Sequence, residues 1–301
     1  MISSTATKAV LVQGVDVDGD GDIDVVAVSV DDQTLAWYEN DGHESFTEHV
    51  VADASTPYTA FAVDFDGDGD TDLIYGSVGA NDIAWFENIA VMPSSQPSGQ
   101  PTGQPTSQPT SMPTKLSLYD TYVISDDASF SAATGAIAVT TNDINSDGIV
   151  DIIAVSYHDN MIAWFQGIGD GTFVEHVIST TEQGAQSVYA ADLDADGDTD
   201  IVFAAFGNDT VGWFENDGSE SFTRRIITAS GNGASSVHVV DMDGDGDKDI
   251  VIAYYLSGAV AWHENIGALS FTEHVVTTTP ADPRKVFAID MDGDGDIDIV
   301  T

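Results

Sequence analysis

The chain has 301 residues, 42% of them hydrophobic, with 51 Asp or Glu against 7 Lys or Arg. That apolar share supports a sizeable core and excludes wholesale disorder, while a formal net charge of −44 repels nucleic acid and anionic lipid and attracts cations. With no cysteine there is neither a disulfide nor a thiolate metal site.

The opening stretch, "MISSTATKAVLVQGVDVD", has one Lys and a short apolar run broken at Gln13, which is not the pattern of a secretory signal. No run approaches bilayer length, so direct membrane insertion is not expected. The expectation is a cytosolic protein or a piece of a longer chain, and the repeats described next favour the second.

An acidic cluster closes this stretch and then recurs. "DVDGDGDID" sets Asp16, Asp18, Asp20, Asp22 and Asp24 at alternate positions, and "DFDGDGDTD" repeats the pattern with Asp64, Asp66, Asp68, Asp70 and Asp72. The third, "DINSDGIVD", departs from it: Asp143, Asn145, Asp147 and Asp151 remain, but Ile149 is neutral. "DLDADGDTD" gives Asp192, Asp194, Asp196, Asp198 and Asp200, and "DMDGDGDKD" gives Asp241, Asp243, Asp245, Asp247 and Asp249. The sixth, "DMDGDGDID", gives Asp290, Asp292, Asp294, Asp296 and Asp298. Successive clusters lie about 49 residues apart, except for one longer step between Asp64 and Asp143.

The sequence between clusters keeps the same phase. Each is followed by an apolar run such as "VVAVSV" or "IVFAAF", an aromatic segment such as "LAWYEN" or "VGWFEN", and an alternating segment such as "FTEHVV". A fourth apolar piece, such as "SSVHVV", leads into the next cluster. These pieces are short, β-branched and aromatic, with Gly, Asn and Asp between them, so each repeat reads as four strands. The apolar runs suit strands buried on both faces, and "FTEHVV" suits an outer, half-wet strand. Four strands in about 49 residues, in tandem, is the size of a propeller blade. The expected fold is therefore all-β: a β-propeller with five full blades and a partial sixth that stops at "IDIVT". The missing outer strands suggest a cut chain or a ring completed by something else.

The long step contains "VMPSSQPSGQPTGQPTSQPTSMPT", with a Pro at every fourth residue and no charge. It reads as an extended Pro, Ser, Thr and Gln spacer. Because the repeat resumes in phase beyond it, the expected organisation is one propeller. Residues 1–90 start it, 91–114 are a spacer within a hairpin of the second blade, and 115–301 continue it.

Close-packed like charges are costly unless a cation neutralises them. Calcium takes six to eight oxygens, and a short loop with carboxylates at positions one, three and five supplies them. Position six is glycine in every cluster, as a sharp turn requires. Position seven offers a backbone carbonyl, and the Asp at position nine closes the shell. This predicts up to six Ca²⁺ sites, with weaker binding at the third. Magnesium demands a stricter octahedron, zinc would want His or Cys, and an EF-hand would need Glu at position twelve and flanking helices. Position twelve is Ala27, Tyr75, Ala154, Phe203 or Ile252.

The pattern D-x-D-x-D-G-x-x-D between strands, followed by "AWFEN" or "GWFEN", resembles the FG-GAP and VCBS repeats of integrin-α-like propellers. The resemblance covers nearly the whole chain outside the spacer. It implies a seven-bladed ring with calcium in the hairpin between the first and second strands of each blade. It further implies an extracellular or cell-surface protein that adheres or binds protein or carbohydrate.

Other residues invite functional readings. Trp37, Trp85, Trp164, Trp213 and Trp262 share one phase, which favours packing between blades over a sugar platform. Glu215 and Asn216, like their counterparts, read as turn and strand-end groups. His49, His176, His263 and His274 follow the repeat, which argues against catalysis, and His158 and His238 are less regular. Asn208-Asp209-Thr210 is a glycosylation sequon if the protein is secreted. In a propeller the calcium hairpins and the spacer share one end. The more variable second and fourth connections, such as "YHDN" and "TEQGAQ", form the other and are the expected partner face. Three functions fit: a calcium-stabilised adhesion or ligand-binding module, a polysaccharide-active enzyme of the lyase type, or a purely structural module of a surface protein. Arg224, Arg225, Arg284 and Lys285, each found in one repeat only, are the features on which an enzyme would draw.

Overall fold

The computed structural model describes residues 2, 8–43, 45–53, 55–79, 82–88, 119–125, 135–267, 270–279, 282–291 and 293–301. The spacer expected at 91–114 lies outside the described residues, as does Asp292.

The described chain is built of antiparallel sheets in sequence order. Blade one is β1 (Ala9–Val15), β2 (Asp24–Ser29), β3 (Thr34–Asn40) and β4 (Phe46–Asp53). Blade two is β5 (Pro57–Val63), β6 (Asp72–Ser77), β7 (Asp82–Asn88) and β8 (Tyr119–Ser125). Blade three follows with β9 (Ala136–Asn142), β10 (Asp151–Ser156), β11 (Met161–Gly167) and β12 (Phe173–Ser179). Blade four is β13 (Ala185–Ala191), β14 (Asp200–Ala205), β15 (Thr210–Asn216) and β16 (Phe222–Thr228). Blade five is β17 (Ala234–Val240), β18 (Asp249–Tyr254), β19 (Ala259–Asn265) and β20 (Phe271–Thr277), and a last hairpin pairs β21 (Phe287–Ile289) with β22 (Asp298–Val300). Strands β7 and β8 pair directly although residues 89–118 separate them. The all-β propeller architecture expected from the repeat is what the chain adopts.

Burial follows strand position. The second strands of blades two to five are buried at every residue, because each lies in the middle of a sheet with a blade on either side. The fourth strands are partly or wholly exposed, as their alternating sequence requires. Blade one departs from this, since β1 is no better than half-buried.

The core is a series of seams between blades rather than one centre. Leu35, Trp37, Leu73 and Tyr75 meet between blades one and two, and Ile74, Trp85, Ile152 and Phe165 between two and three. Ile153, Trp164, Ile201 and Phe203 fill the next seam, and Val202, Trp213, Ile250 and Ile252 the one after. A lone four-stranded sheet leaves both faces wet, whereas each seam removes two faces from water at once. Val12 and Ile23 reach solvent on blade one, and Phe287, Ile289 and Met291 do so on the last hairpin. Polar bridges tie the inner strands together: Val237 N–H donates to Ser187 Oγ and Val286 N–H to Ser236 Oγ, both at 3.2 Å.

Candidate metal centres

Every acidic cluster is the hairpin between the first and second strands of a blade. In blade five, Asp241 accepts from Gly244 N–H at 2.8 Å and from Gly246 N–H at 3.1 Å, folding the loop around its own carboxylate. Asp243 accepts from Asp245 N–H at 3.1 Å, and Asp245 accepts from Asp247 N–H at 2.9 Å. The first two loops repeat these contacts, whereas in the third and fourth the N–H of position five, Asp147 or Asp196, donates to Asp143 or Asp192 in place of that of position four. Position six needs the left-handed backbone everywhere: Gly21, Gly69, Gly148, Gly197, Gly246 and Gly295 have φ between 85° and 102°. Position four needs it too. Gly supplies it in four loops, but Ser146 and Ala195 adopt φ of 60° and 62°.

Position nine has a role that the spacing does not reveal. Asp24, Asp72, Asp151, Asp200 and Asp249 are buried at the start of their strands. In blade four, one oxygen of Asp200 accepts from Leu193 N–H and the other from Asn216 N–H, both at 2.9 Å. The carboxylate thus pins the loop to the end of the third strand. Burial pushes Asp72 and Asp151 up to about 6 and Asp200 to about 7, although these backbone bonds pull the other way.

Positions one, three and nine converge. Asp16, Asp18 and Asp24 each present an oxygen, all within 4.8 Å of one another, and so do Asp64, Asp66 and Asp72. Asp192, Asp194 and Asp200 form the third such cluster, and Asp241, Asp243 and Asp249 the fourth. The carboxylates at positions five and seven stand outside these groups. Burial first, and neighbouring carboxylates as well, hold Asp18, Asp66 and Asp194 above the usual carboxylate range. An all-oxygen donor set whose members raise one another's pKa fits a hard divalent cation. In the third loop, Asn145 Nδ2 donates to Asp147 at 3.0 Å, so an amide stands where the others offer charge. Asp290, Asp294, Asp296 and Asp298 occupy the same positions in the sixth loop, where Asp290 accepts from Gly293 and Gly295 N–H.

The Asn that ends the third strand is more than a turn residue. Asn216 Nδ2 donates to Thr199 O within its blade and, at 3.0 Å, to Ile144 O of the previous blade. Asn265 reaches Leu193 O in the same way at 3.1 Å, and Asn88 reaches Val17 O at 3.3 Å. Blade three has Gly167 at this position, and a Cβ there would stand 2.7 Å from Val150 O and 2.9 Å from Ile149 Cγ2. The neutral Ile149 and the bare Gly167 are therefore linked departures.

The tempting side chains resolve into packing. Trp37, Trp85, Trp164 and Trp213 are buried. His49, His176 and His274 stack on Trp37, Trp164 and Trp262 at centroid distances of 4.4 to 4.6 Å. Arg225 takes the histidine's place opposite Trp213 and donates to Glu215 at 2.7 Å. Arg224 forms a two-pronged pair, at 2.6 and 2.7 Å, with Glu182, which is fully buried in the loop before blade four. His263 bonds the Tyr254 hydroxyl, and His238 packs between Tyr189 and Phe287. Arg284 and Lys285 are not absorbed in this way. They line a cavity of about 830 Å³ on the propeller axis, together with Tyr255 and His158.

Among the described residues no helix is long and apolar enough to cross a membrane. No curated protein matches the chain. Its fold is shared with the selenomethionine-substituted virginiamycin B lyase of Staphylococcus aureus, with a TM-score of 0.60 and 14% identity over 95% of this chain and 75% of that one. A catalytically inactive form of that lyase with quinupristin gives 0.59 and 14%, over 94% and 75%. A functionally unknown protein from Desulfotomaculum acetoxidans DSM 771 gives 0.54 and 15%, over 87% and 69%. At such identities the likeness concerns the fold alone. The model of a PT disordered repeat matches residues 90–117. That of the FG-GAP-like repeat matches 16–75, 143–203, 192–252 and 241–301, each window opening on one acidic loop and running through the next. With well over half of its length matched by that model, the chain belongs to the FG-GAP-like repeat family.

Proposed function

We propose that this chain is a calcium-braced propeller module that binds an extracellular protein or glycan at the cell surface or outside the cell. In this reading it is a single propeller body interrupted by the 91–114 insertion. The observation that carries it is the convergence of positions one, three and nine in four successive loops. Position nine already anchors the third strand, so a cation bound there stiffens the join between loop and sheet as well as the loop. The carbonyl of position seven and the carboxylate of position five complete the shell as the loop tightens. Calorimetry on demetallated protein should give a heat of Ca²⁺ uptake, and chelator should lower the melting temperature sharply. No heat and an unchanged melt would defeat the reading.

A second reading has one observation in its favour. The basic and aromatic groups on which an enzyme would draw, Arg284, Lys285, Tyr255 and His158, do meet in one cavity. A lyase-type activity would appear as unsaturated products in a screen of acidic polysaccharides. A screen in which glycans bind without turnover selects the binding module, and one with neither binding nor turnover selects a purely structural role.

A further inference from the structure

The axial cavity lies at the end of the propeller away from the acidic loops. Each inner strand starts at the cavity and runs towards its loop, as β1 does from Lys8 to Asp16, and each second strand returns, as β18 does from Asp249 to Tyr255. All five blades and the segment before β21 contribute to the lining. Its volume of about 830 Å³ is within the range of small-molecule sites, and far smaller than a docked domain would need.

The chemistry of this cavity is opposite to that of the rest of the chain. The sequence has 51 acidic and 7 basic residues, yet three of the seven basic residues, Lys8, Arg284 and Lys285, line the cavity and, among the described residues, no acidic residue does. Lys8 is engaged by Asp31 at 3.3 Å, which leaves Arg284 and Lys285 as the available charges. Arg284 lies 4.8 Å from the centre of the Tyr255 ring and donates to its hydroxyl at 3.3 Å, so its guanidinium is held in place. Lys285 forms no ion pair among the described residues. It is reached by water, but the surrounding walls lower its ammonium pKa. An unpaired ammonium beside a fixed guanidinium leaves two positive charges open to an incoming anion. The remaining wall mixes aliphatic and polar side chains with four aromatic rings, Tyr58, Tyr157, Phe206 and Tyr255, which come from four successive blades. Tyrosine pairs an apolar ring with a hydroxyl, which suits a ligand with C–H faces and many hydroxyl groups.

We propose that the axial cavity binds an acidic sugar, with Lys285 and Arg284 meeting its carboxylate and the tyrosine rings meeting its pyranose faces. This rests on the reading of the chain as a ligand-binding module and names the class of ligand. The large negative charge elsewhere does not forbid it. At physiological ionic strength charges are screened beyond about 8 Å, so the charges lining the cavity decide.

The test is isothermal titration of the calcium-loaded chain with trimers of galacturonate, glucuronate and mannuronate, each beside its carboxyl-reduced neutral counterpart. At least one uronate trimer should bind, and its neutral counterpart at least tenfold more weakly. Lys285→Gln should weaken the binding tenfold or more, and Arg284→Gln should do so as well. Both variants should keep the wild-type melting temperature, because neither side chain makes a buried ion pair. The proposal is overturned if no uronate binds at millimolar concentration, if the neutral trimers bind equally well, or if Lys285→Gln leaves the affinity unchanged. Binding of a triglutamate peptide in place of every uronate would also overturn it. Calcium uptake is measured on the same samples. Normal uptake without uronate binding therefore removes this proposal alone, and absent uptake removes the calcium brace alone.

Discussion

Replacing Asp200 separates the anchoring role of position nine from the calcium-ligand role proposed for it. Its oxygens accept the N–H groups of Leu193 and Asn216, both at 2.9 Å, and the residue is fully buried. Asp200→Ala leaves two buried donors without partners, at about 1–3 kcal/mol each, so the metal-free protein should lose about 2–6 kcal/mol. Asp194→Asn is the control. Asp194 accepts only a 3.3 Å bond from Asp196 N–H, which an amide oxygen also accepts, and the change removes one of several crowded charges. In chelator Asp194→Asn should therefore melt at or slightly above the wild-type temperature, and in calcium it should lose part of the calcium-dependent gain. Asp200→Ala should be destabilised in both media. Differential scanning calorimetry with and without chelator reads all four values. The reasoning fails if Asp200→Ala melts normally in chelator, or if the two variants lower the chelated transition equally.

Calcium uptake should release protons near neutrality, since Asp72 and Asp151 titrate at about 6 and Asp200 at about 7 when no metal is bound. Titrations in buffers of different ionisation enthalpy will report the count. For the same groups the folded pKa lies above the unfolded value of 3.8. Their contribution to metal-free stability is thus complete below about pH 4 and lost as pH rises through 6 to 7. Calcium affinity changes in the opposite direction and weakens as pH falls through that window. Asn216→Ala should cost about 2–3 kcal/mol in urea unfolding, from the loss of its bonds to Ile144 O, Thr199 O and Gly218 N–H. Arg224→Ala should cost about 3–5 kcal/mol by leaving the buried Glu182 carboxylate with only the 3.3 Å hydroxyl contacts of Ser179 and Thr181, and Arg224→Met with Glu182→Gln should recover most of it. Ala195→Gly should stabilise the fourth loop by about 1 kcal/mol, because the position already has φ of 62°.

The architecture was legible because each blade states it again. Period-two alternation in "FTEHVV" marked the outer strand, solid runs such as "IVFAAF" marked the buried one, and position-six glycine marked the turn. What the sequence concealed depends on partners that only the folded sheets bring together, some of them more than 40 residues away. Asn216 looks like a strand end until Ile144 O of the previous blade is in place beside it. Arg224 looks free until Glu182 is seen beneath it, 42 residues earlier. The histidine of each "EH" pair reads only as a repeated residue, although a Trp lies directly opposite it on the adjoining strand. The axial cavity could not be read from any one blade, because each of the five contributes only a few of its lining residues.

The ladder from Ile83↔Ser125 to Asn88↔Tyr119 has a practical consequence. A protease that severs the backbone anywhere between Asn88 and Tyr119 would produce two polypeptides and still one particle. Denaturing gels would show a pair of bands where size exclusion shows a single peak. The same place is where the gene could be divided into co-expressed halves, or a fluorescent cargo spliced in, with the sheet itself serving as the fastening.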